Sequence, residues 1–535
     1  MAVIAAPERA ELKQGGDITY LDMVDEAKAI GDSEIQKLFV GSSIFLTGGT
    51  GFLGKLLVEK LLRSCPDLKK LYLLARPKKN KEAAKRLQEQ FDDVLYDKLR
   101  KEQPNFIKKI SIIEGDVGQL NLGISNEDRV KIINEVEFIF HGAATVRFDE
   151  SLKTAVEINV RGTREMFILA RACTKLKAML HISTAYSNCP LKEIKEEFYE
   201  THLHGEKLID LVEHMDEKII NNITPGLLGD FPNTYAYTKS AAEDIVQKYS
   251  KGLPVAVMRP SIVIGTAKEP LAGWIDNVYG PTGVVVGAAV GLIHVLNCNP
   301  TAVADLVPGD MVVNASIAAL WRTARDYTGN HEDAPPVDQP PPVYNYVSSV
   351  EQPLTWKNFM KYNEIYGLKV PTKQAVWYYL FYITPSKFLY TLTCFLLHWI
   401  PAYIIDAIAV LIGKKPMLKK AYTKIEKFSS VIGYFALREW KFHNSNTQSL
   451  FNELNLADKE IFDFNMKALD WRQYFISYIK GVRVYLLKDP MDTIPQAVSK
   501  YNKLKCVHYL FCSFIIFVVL RVLWGTLWYC IGQLN

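Results

Sequence analysis

Three glycines at three-residue spacing, Gly48, Gly51 and Gly54, separate a short apolar run from an amphipathic one. Ile44 to Leu46 is long enough for a buried strand, and Lys55 to Leu62 has helical periodicity. A strand, a tight glycine turn and a helix N-terminus form a site for a pyrophosphate. Backbone N–H groups point at the anion, the helix dipole favours it, and glycine lets the backbone come close. Gly48 is expected to make the turn, Gly51 to admit the phosphates and Gly54 to let the helix pack on the sheet. Thr47, Thr50, Phe52 and Leu53 complete the expected cofactor contacts. An ordinary glycine-rich turn would read the same way, so the rest of the chain must decide.

Beyond this turn, apolar and helical stretches alternate. Lys70 to Ala75 is a second buried strand and ends at Arg76-Pro-Lys-Lys-Asn-Lys81. Where an NAD-preferring fold places an acidic residue against the ribose hydroxyl, this chain has an arginine. A guanidinium there pairs with a 2′-phosphate, which favours NADPH. The competing reading is a solvated charge run opening a helix from Glu82 to Leu99. Ile110 to Val117 reads as a third strand, with Asp116 placed to face an adenine amino group and Val117 beside it. Val136 to Ala144 is a fourth, running into a small-residue turn that puts Ala143 near the cofactor. A helix carries Asn159 to Thr163, and Ala178 to Thr184 is a fifth strand with Ser183 and Thr184 at its carboxyl end. Ligands in parallel sheets gather at such ends, although a Ser-Thr pair there serves equally well as a helix cap.

Cys189 to Asn233 is a long charged segment, with helical stretches expected at Glu196 to His204 and Lys207 to Ile220, and it is a candidate lid or substrate contact. Tyr235 and Lys239 then stand one helical turn apart and face the same way. A protonated lysine beside a tyrosine lowers the phenol pKa toward the working range. Tyr237 points elsewhere. Val255 to Gly265 reads as a sixth strand, Gly283 to Leu296 as either an apolar pocket wall or a core helix, and Ala334 to Val343 as a proline-rich loop before strand-like Tyr344 to Ser348.

After residue 350 this rhythm stops. Residues 388–412 are strongly apolar, broken by Pro401 and Asp406, which suits a kinked, interfacial or re-entrant hairpin as much as a spanning helix. Residues 507–531 are long and apolar enough to span a bilayer, and Lys500, Lys503 and Lys505 before them place the body on the cytoplasmic side. The expected division is a leader over 1–40, a nucleotide-binding domain over 41–350, a helical domain over 351–500 and a tail helix over 507–531.

The formal charge of +5 is small for 535 residues and gives no argument for nucleic acid. Eight scattered cysteines suit reduced thiols, and the N-terminus lacks a signal peptide's basic region. His141, His181, His202 and His204 form no metal-ligand pattern and read as structural; no metal is expected. Oligomeric state is open, a homo-oligomer included.

Thr47 to Gly54, Tyr235 with Lys239, Gly273-Trp-Ile-Asp-Asn277, Gly280 to Gly283, Phe428-Ser-Ser430 and Trp440 to Phe442 together resemble the animal fatty acyl-CoA reductases. The first two motifs are shared with extended short-chain dehydrogenases at large; the others are more specific. The resemblance implies an α/β fold, a Rossmann-type doubly wound parallel sheet followed by a mostly helical, membrane-associated region. It implies reduction of a long-chain acyl-CoA to a primary alcohol with two NADPH, through a hemithioacetal and an aldehyde. Tyr235 would donate the proton, Lys239 would hold the ribose and tune Tyr235, and Thr184, or Ser183 in its place, would bond the carbonyl oxygen. Membrane lipid would surround the anchor, at the endoplasmic reticulum first and the peroxisome surface second. The rival readings are a membrane-tethered sterol-type dehydrogenase and a catalytically silent NADPH-binding scaffold.

Overall fold

The computed structural model describes residues 32–76, 83–328 and 339–534, so Pro77 to Lys81 of the charge run and the first half of the proline-rich run fall outside it. Its centre is a seven-stranded parallel sheet: β1 (Ser43–Thr47), β2 (Lys70–Ala75), β3 (Ile110–Glu114), β4 (Phe138–His141), β5 (Ala178–Ile182), β6 (Val255–Pro260) and β7 (Val343–Tyr346). The spatial order is β7-β6-β5-β4-β1-β2-β3. The order reverses between β1 and β4, which opens a crevice at their carboxyl ends, where such sheets bind ligands.

Side chains alternate across the sheet with period two. Ile44, Leu46, Leu71 and Phe138 face one apolar cluster, and Phe45, Tyr72 and Ile139 face the other. The first cluster takes the buried stripes of α1 (Phe52–Ser64) and α5 (Gly309–Thr328), and the second takes α2 (Gly162–Ala172). The remaining helices used below are α3 (Thr234–Tyr249), α4 (Pro281–Ala289), α6 (Lys387–Leu411), α7 (Leu418–Ala436), α8 (Trp471–Gly481) and α9 (Ile494–Leu534). Tyr474, Phe475 and Tyr478 of α8 belong to the same apolar cluster as Leu46 and Leu61, so the C-terminal helices share a core with the sheet. The contact is close: a Cβ on Gly481 would lie 1.7 Å from the Gly273 carbonyl oxygen, so the backbones touch only because both residues are glycine.

Four segments differ from the sequence expectation. The helix expected over Glu82 to Leu99 is interrupted among the described residues: it ends at Phe91, and Asp93, whose carboxylate accepts from Leu95 N–H, opens a new turn. Glu196 to His204 is irregular, because the Glu196 carboxylate accepts from the backbone N–H groups of Asn345, Asn446 and Thr447 and so serves as a long-range anchor. Glu193–Ile194 just before it pairs with Lys441–Phe442, so this start of the charged segment is pinned down instead of free to move as a lid. Val255 to Gly265 splits after Pro260: Ile262–Ile264 leaves the main sheet to pair with Leu306–Pro308.

The apolar stretch 388–412 is helical up to Leu411, with one wide turn at Phe395–Trp399. Pro401 lies in the first turn after it, where a missing N–H is tolerated. Asp406 does not interrupt the helix; its carboxylate accepts from the N–H groups of Met417, Leu418 and Lys419 and caps α7. Phe388 and Leu411 are 74% and 85% exposed. α6 and the span Met491–Thr526, which includes most of α9, are long and apolar enough to cross a membrane.

Candidate active site

At the carboxyl end of β1 the chain turns through Gly48 with φ +82, and a Cβ there would lie 2.8 Å from the Ala143 nitrogen. The turn therefore seats directly on the loop after β4. Gly54 lets α1 close on this same turn, since its Cβ would stand 2.0 Å from the Gly48 oxygen. Gly51 is the N-cap of α1 with no side-chain cap, and the first turn carries no acidic residue. An uncapped, acid-free helix start beside a glycine turn suits the pyrophosphate of a dinucleotide. A cavity of about 40 Å³ adjoins it, lined by Thr47, Gly48, Leu53, Gly54, Gly142 and Ile182 among others.

The other expected cofactor residues take several places. The Thr47 hydroxyl is held internally, 2.8 Å from His141 Nδ1 and accepting from Ala143 N–H at 3.2 Å. Thr50 is partly exposed at the turn, while the Phe52 ring stacks on Trp274 at 5.5 Å. Arg76, 53% exposed, stands beyond β2 with its guanidinium 3.6 Å from the Asp116 carboxylate beyond β3. Asp116 also accepts from Gly118 N–H, and Val117 is buried against Gly162.

Tyr235 and Lys239 lie on α3, whose N-cap Asn233 accepts from Ala236 N–H. The Thr184 hydroxyl, just past β5, stands 3.4 Å from the Pro260 carbonyl and close enough to the Tyr235 phenol to favour its ionised form. Burial pushes that phenol up to about 12, and the Thr184 hydroxyl opposes the rise. Lys239 does not lower it as the spacing predicts. Its side chain turns to the sheet and donates to the Ile182 carbonyl at 2.8 Å, and burial brings its own pKa down to about 8. Ser183 is directed away from this pair; its hydroxyl donates to Glu243, which is locked to buried Arg259 by bonds of 2.9 and 2.6 Å. The structure thus brings Thr184, Tyr235 and Lys239 together with the glycine turn, and it sets Ser183 apart.

His141 bridges Thr47 and Thr163, and burial with the Lys239 charge holds it down to about 3, so it is neutral. Among the described residues no cluster of His, Cys, Asp and Glu could hold a metal ion.

Three contributors escaped the sequence reading. Asn159 sits in a wide helical turn, Glu157–Arg161, and bonds both Thr145 of the β4 loop and Thr238 of α3. Such turns recur at functional sites, and an asparagine there fixes the loop against the helix of Tyr235 and Lys239. Phe148 lies 5.7 Å from the Tyr235 ring, and Phe435 of α7 lies 6.0 Å from Phe148, so a C-terminal helix roofs the site. The Asn-Val-Arg-Gly-Thr stretch was a usable signal for the first; the aromatic pair carried none.

A nucleotide turn, a Tyr–Lys pair on one helix and a threonine at the sheet's carboxyl edge define a nicotinamide-dependent reductase of the extended short-chain dehydrogenase class. Residues 46–316 and 397–489 each match a family described as "Male sterility protein", the first being its NAD-binding part. The chain is 42% identical over 478 residues to Drosophila melanogaster "Fatty acyl-CoA reductase wat", covering 89% of this chain and 90% of that one. It is 38% identical over 491 residues to human "Fatty acyl-CoA reductase 2", covering 92% and 93%. The chain belongs to the fatty acyl-CoA reductase family. Two solved structures share its fold: the terminal R domain of the myxalamid biosynthetic pathway, at TM-score 0.54, 18% identity and coverage of 88% and 95%; and the reductase domain of a Mycobacterium tuberculosis nonribosomal peptide synthetase, at TM-score 0.53, 20% identity and coverage of 88% and 98%.

Proposed function

We infer that the protein reduces long-chain acyl-CoA to the primary alcohol, releasing CoA and consuming two NADPH. The observation that carries this reading is the Thr184–Tyr235 hydroxyl pair beside the glycine turn, in a chain of this family. NADPH, when bound, supplies a hydride in each of two rounds. Gly48, Gly51 and the start of α1 hold its pyrophosphate, and Arg76, exposed beyond β2, meets its 2′-phosphate. Thr184 and Tyr235 bond the thioester oxygen and favour the charge that develops on it. With its pKa near 12, Tyr235 is protonated at neutral pH and so gives its proton to that oxygen. The resulting hemithioacetal expels the CoA thiol, and the same two hydroxyls then serve the aldehyde. Lys239, buried and cationic below about pH 8, holds the ribose.

The apolar helices α6 and α9 support attachment to a membrane, with the body on the cytosolic side by its flanking lysines and the endoplasmic reticulum as first location. The test of function is a product assay on detergent-solubilised protein with palmitoyl- and longer acyl-CoAs, NADPH or NADH, and a Tyr235→Phe control. Fatty alcohol formed with NADPH and lost in the variant is the expected result. NADPH binding with no alcohol from any chain length would overturn the reading for these substrates and leave the sterol-type dehydrogenase and the silent scaffold.

A further inference from the structure

Helix α7 has a half-open apolar strip. Leu418, Ala421, Ile425, Phe428 and Phe435 recur at three-, four- and seven-residue intervals, so they lie along one side, and all five are only partly buried. Deeper round the same helix, Tyr422, Ser429, Ile432 and Ala436 are buried, while Lys419, Lys420 and Lys427 are exposed and Lys424, one turn before Phe428, is exposed at the strip's outer edge. The strip is therefore apolar surface that the fold neither covers fully nor turns outward with the lysines.

Its two ends meet defined places. At the C-terminal end Phe435 lies 6.0 Å from Phe148, itself 5.7 Å from Tyr235. At the N-terminal end the helix is capped by Asp406 of α6, the exposed apolar helix. Midway, Phe428 faces α4, where a Cβ on Gly283 would stand 2.8 Å from its ring. The side of α4 that includes Gly283, Val286 and Gly287 is also only partly buried, and two of those residues lack side chains. Nineteen residues of helix span about 28 Å.

We propose that the strip of α7 and the glycine side of α4 wall the channel for the substrate's acyl chain, running from α6 to the Tyr235–Thr184 pair. This rests on the fatty acyl-CoA reading above. The thioester sits under Phe148 and Phe435, and the chain runs past Phe428 and Ile425 toward Leu418. A long chain reaches Ile425, and a short one stops near Phe435. The competing place is the cavity of about 50 Å³ lined by Met360, Val370, Ile479 and Val482 among others, behind the opposite side of α4.

Two measurements on the full-length, detergent-solubilised chain decide it. In Ile425→Asp, a carboxylate in the channel should lower kcat/KM for palmitoyl-CoA at least about tenfold while octanoyl-CoA changes less than about twofold. Ser430→Asp, on the exposed side, should leave both unchanged. Equal losses for the two substrates in Ile425→Asp, or no loss, would overturn the proposal. Independently of any variant's folding, palmitoyl-CoA carrying a diazirine at its terminal carbon should label the 418–428 stretch of the wild-type chain. Label on 356–370 or 471–487, or anywhere other than α7 and the facing side of α4, would also overturn it. If the wild-type chain makes alcohol from neither substrate, the reductase reading fails, and the labelling result still decides the channel.

Discussion

Tyr235 feels two opposed influences, burial lifting its phenol to about 12 and the Thr184 hydroxyl drawing it back. A phenol so shifted stays protonated at every working pH, which suits a donor in a reduction. Tyr235→Phe should lower kcat by about a hundredfold or more, the usual scale for a positioned acid, with NADPH binding by fluorescence titration unchanged. The alkaline limb of the pH profile then belongs to Lys239, whose folded pKa of about 8 lies below its ordinary 10.5. Activity should decline above about pH 8 as that charge is lost. The same shift sets a stability cost, because a lysine with a depressed folded pKa is penalised while charged. The cost is full below about pH 8, shrinks as pH rises and vanishes above 10.5. Lys239→Met should accordingly raise unfolding free energy at pH 7 by up to about 3 kcal/mol, and the gain should disappear near pH 10.5. An unchanged difference across that range would mean Lys239 is not the titrating group. If Arg76 meets the 2′-phosphate as proposed, Arg76→Ala should raise KM for NADPH about tenfold and leave NADH use unaltered.

At the next scale, α1 is fastened to the C-terminal region through Glu269. Lys60 binds its carboxylate at 2.7 Å and also donates to the Ile461 carbonyl, Arg63 binds it at 2.9 Å, and Asn314 donates to it at 2.9 Å. Burial alone would raise this carboxyl, but the two cations bring it down to about 2. Its stabilisation is thus full above pH 4.5 and lost as pH falls toward 2. Glu59, also bonded to Arg63, is pushed the other way by burial and by the Glu269 charge, so acid relieves a cost there and partly masks the loss in the wild type. Glu269→Gln isolates the effect: urea unfolding should show a deficit of about 3 kcal/mol at pH 7 that closes by about pH 2–3. Elements of this kind mark what the sequence discloses. The bounds of β2 and the helix carrying Tyr235 and Lys239 follow from local periodicity, and the uncapped glycine turn follows from spacing alone. Glu196 reads locally as a helix residue, yet its partners Asn345 and Asn446 are far along the chain. The strand entering Pro260 changes sheets because of what Leu306–Pro308 offers it, and Phe435 reaches Phe148 only through packing. Local pattern carries period and cap; it carries nothing of which distant surface completes a site.

For the whole molecule, the two apolar helices meet the body at one patch. His398 of α6 accepts from the backbone N–H of His294, and His294 Nδ1 lies 2.9 Å from the Leu380 carbonyl. Three residues before Leu380, Trp377 bonds His508 of α9, and Tyr378 packs on His508 and Tyr501. Residues 291–298 and 376–384 thus contact both helices, whose side chains from Phe388 to Leu411 and from Val507 to Trp524 include many exposed apolar ones. If both helices meet the membrane as proposed, removing one should not release the body. Truncation after Lys505 removes the apolar part of the longer helix but leaves α6, its exposed leucines and isoleucines and the Asp406 cap intact. That truncated chain should still float with phospholipid vesicles in a density gradient, and adding Phe388→Ser, Ile408→Ser and Leu411→Ser should move it to the soluble fraction. Tyr235, Lys239, Thr184 and the glycine turn lie outside the deleted residues, so detergent-supported alcohol formation should persist after truncation alone. A truncated chain that is already soluble and active would make α9 the sole membrane contact and reduce α6 to an exposed apolar element of the body. Vesicle binding kept by the truncation and lost in the triple variant would instead show that the membrane is held beside the Asp406 cap, where α7 begins.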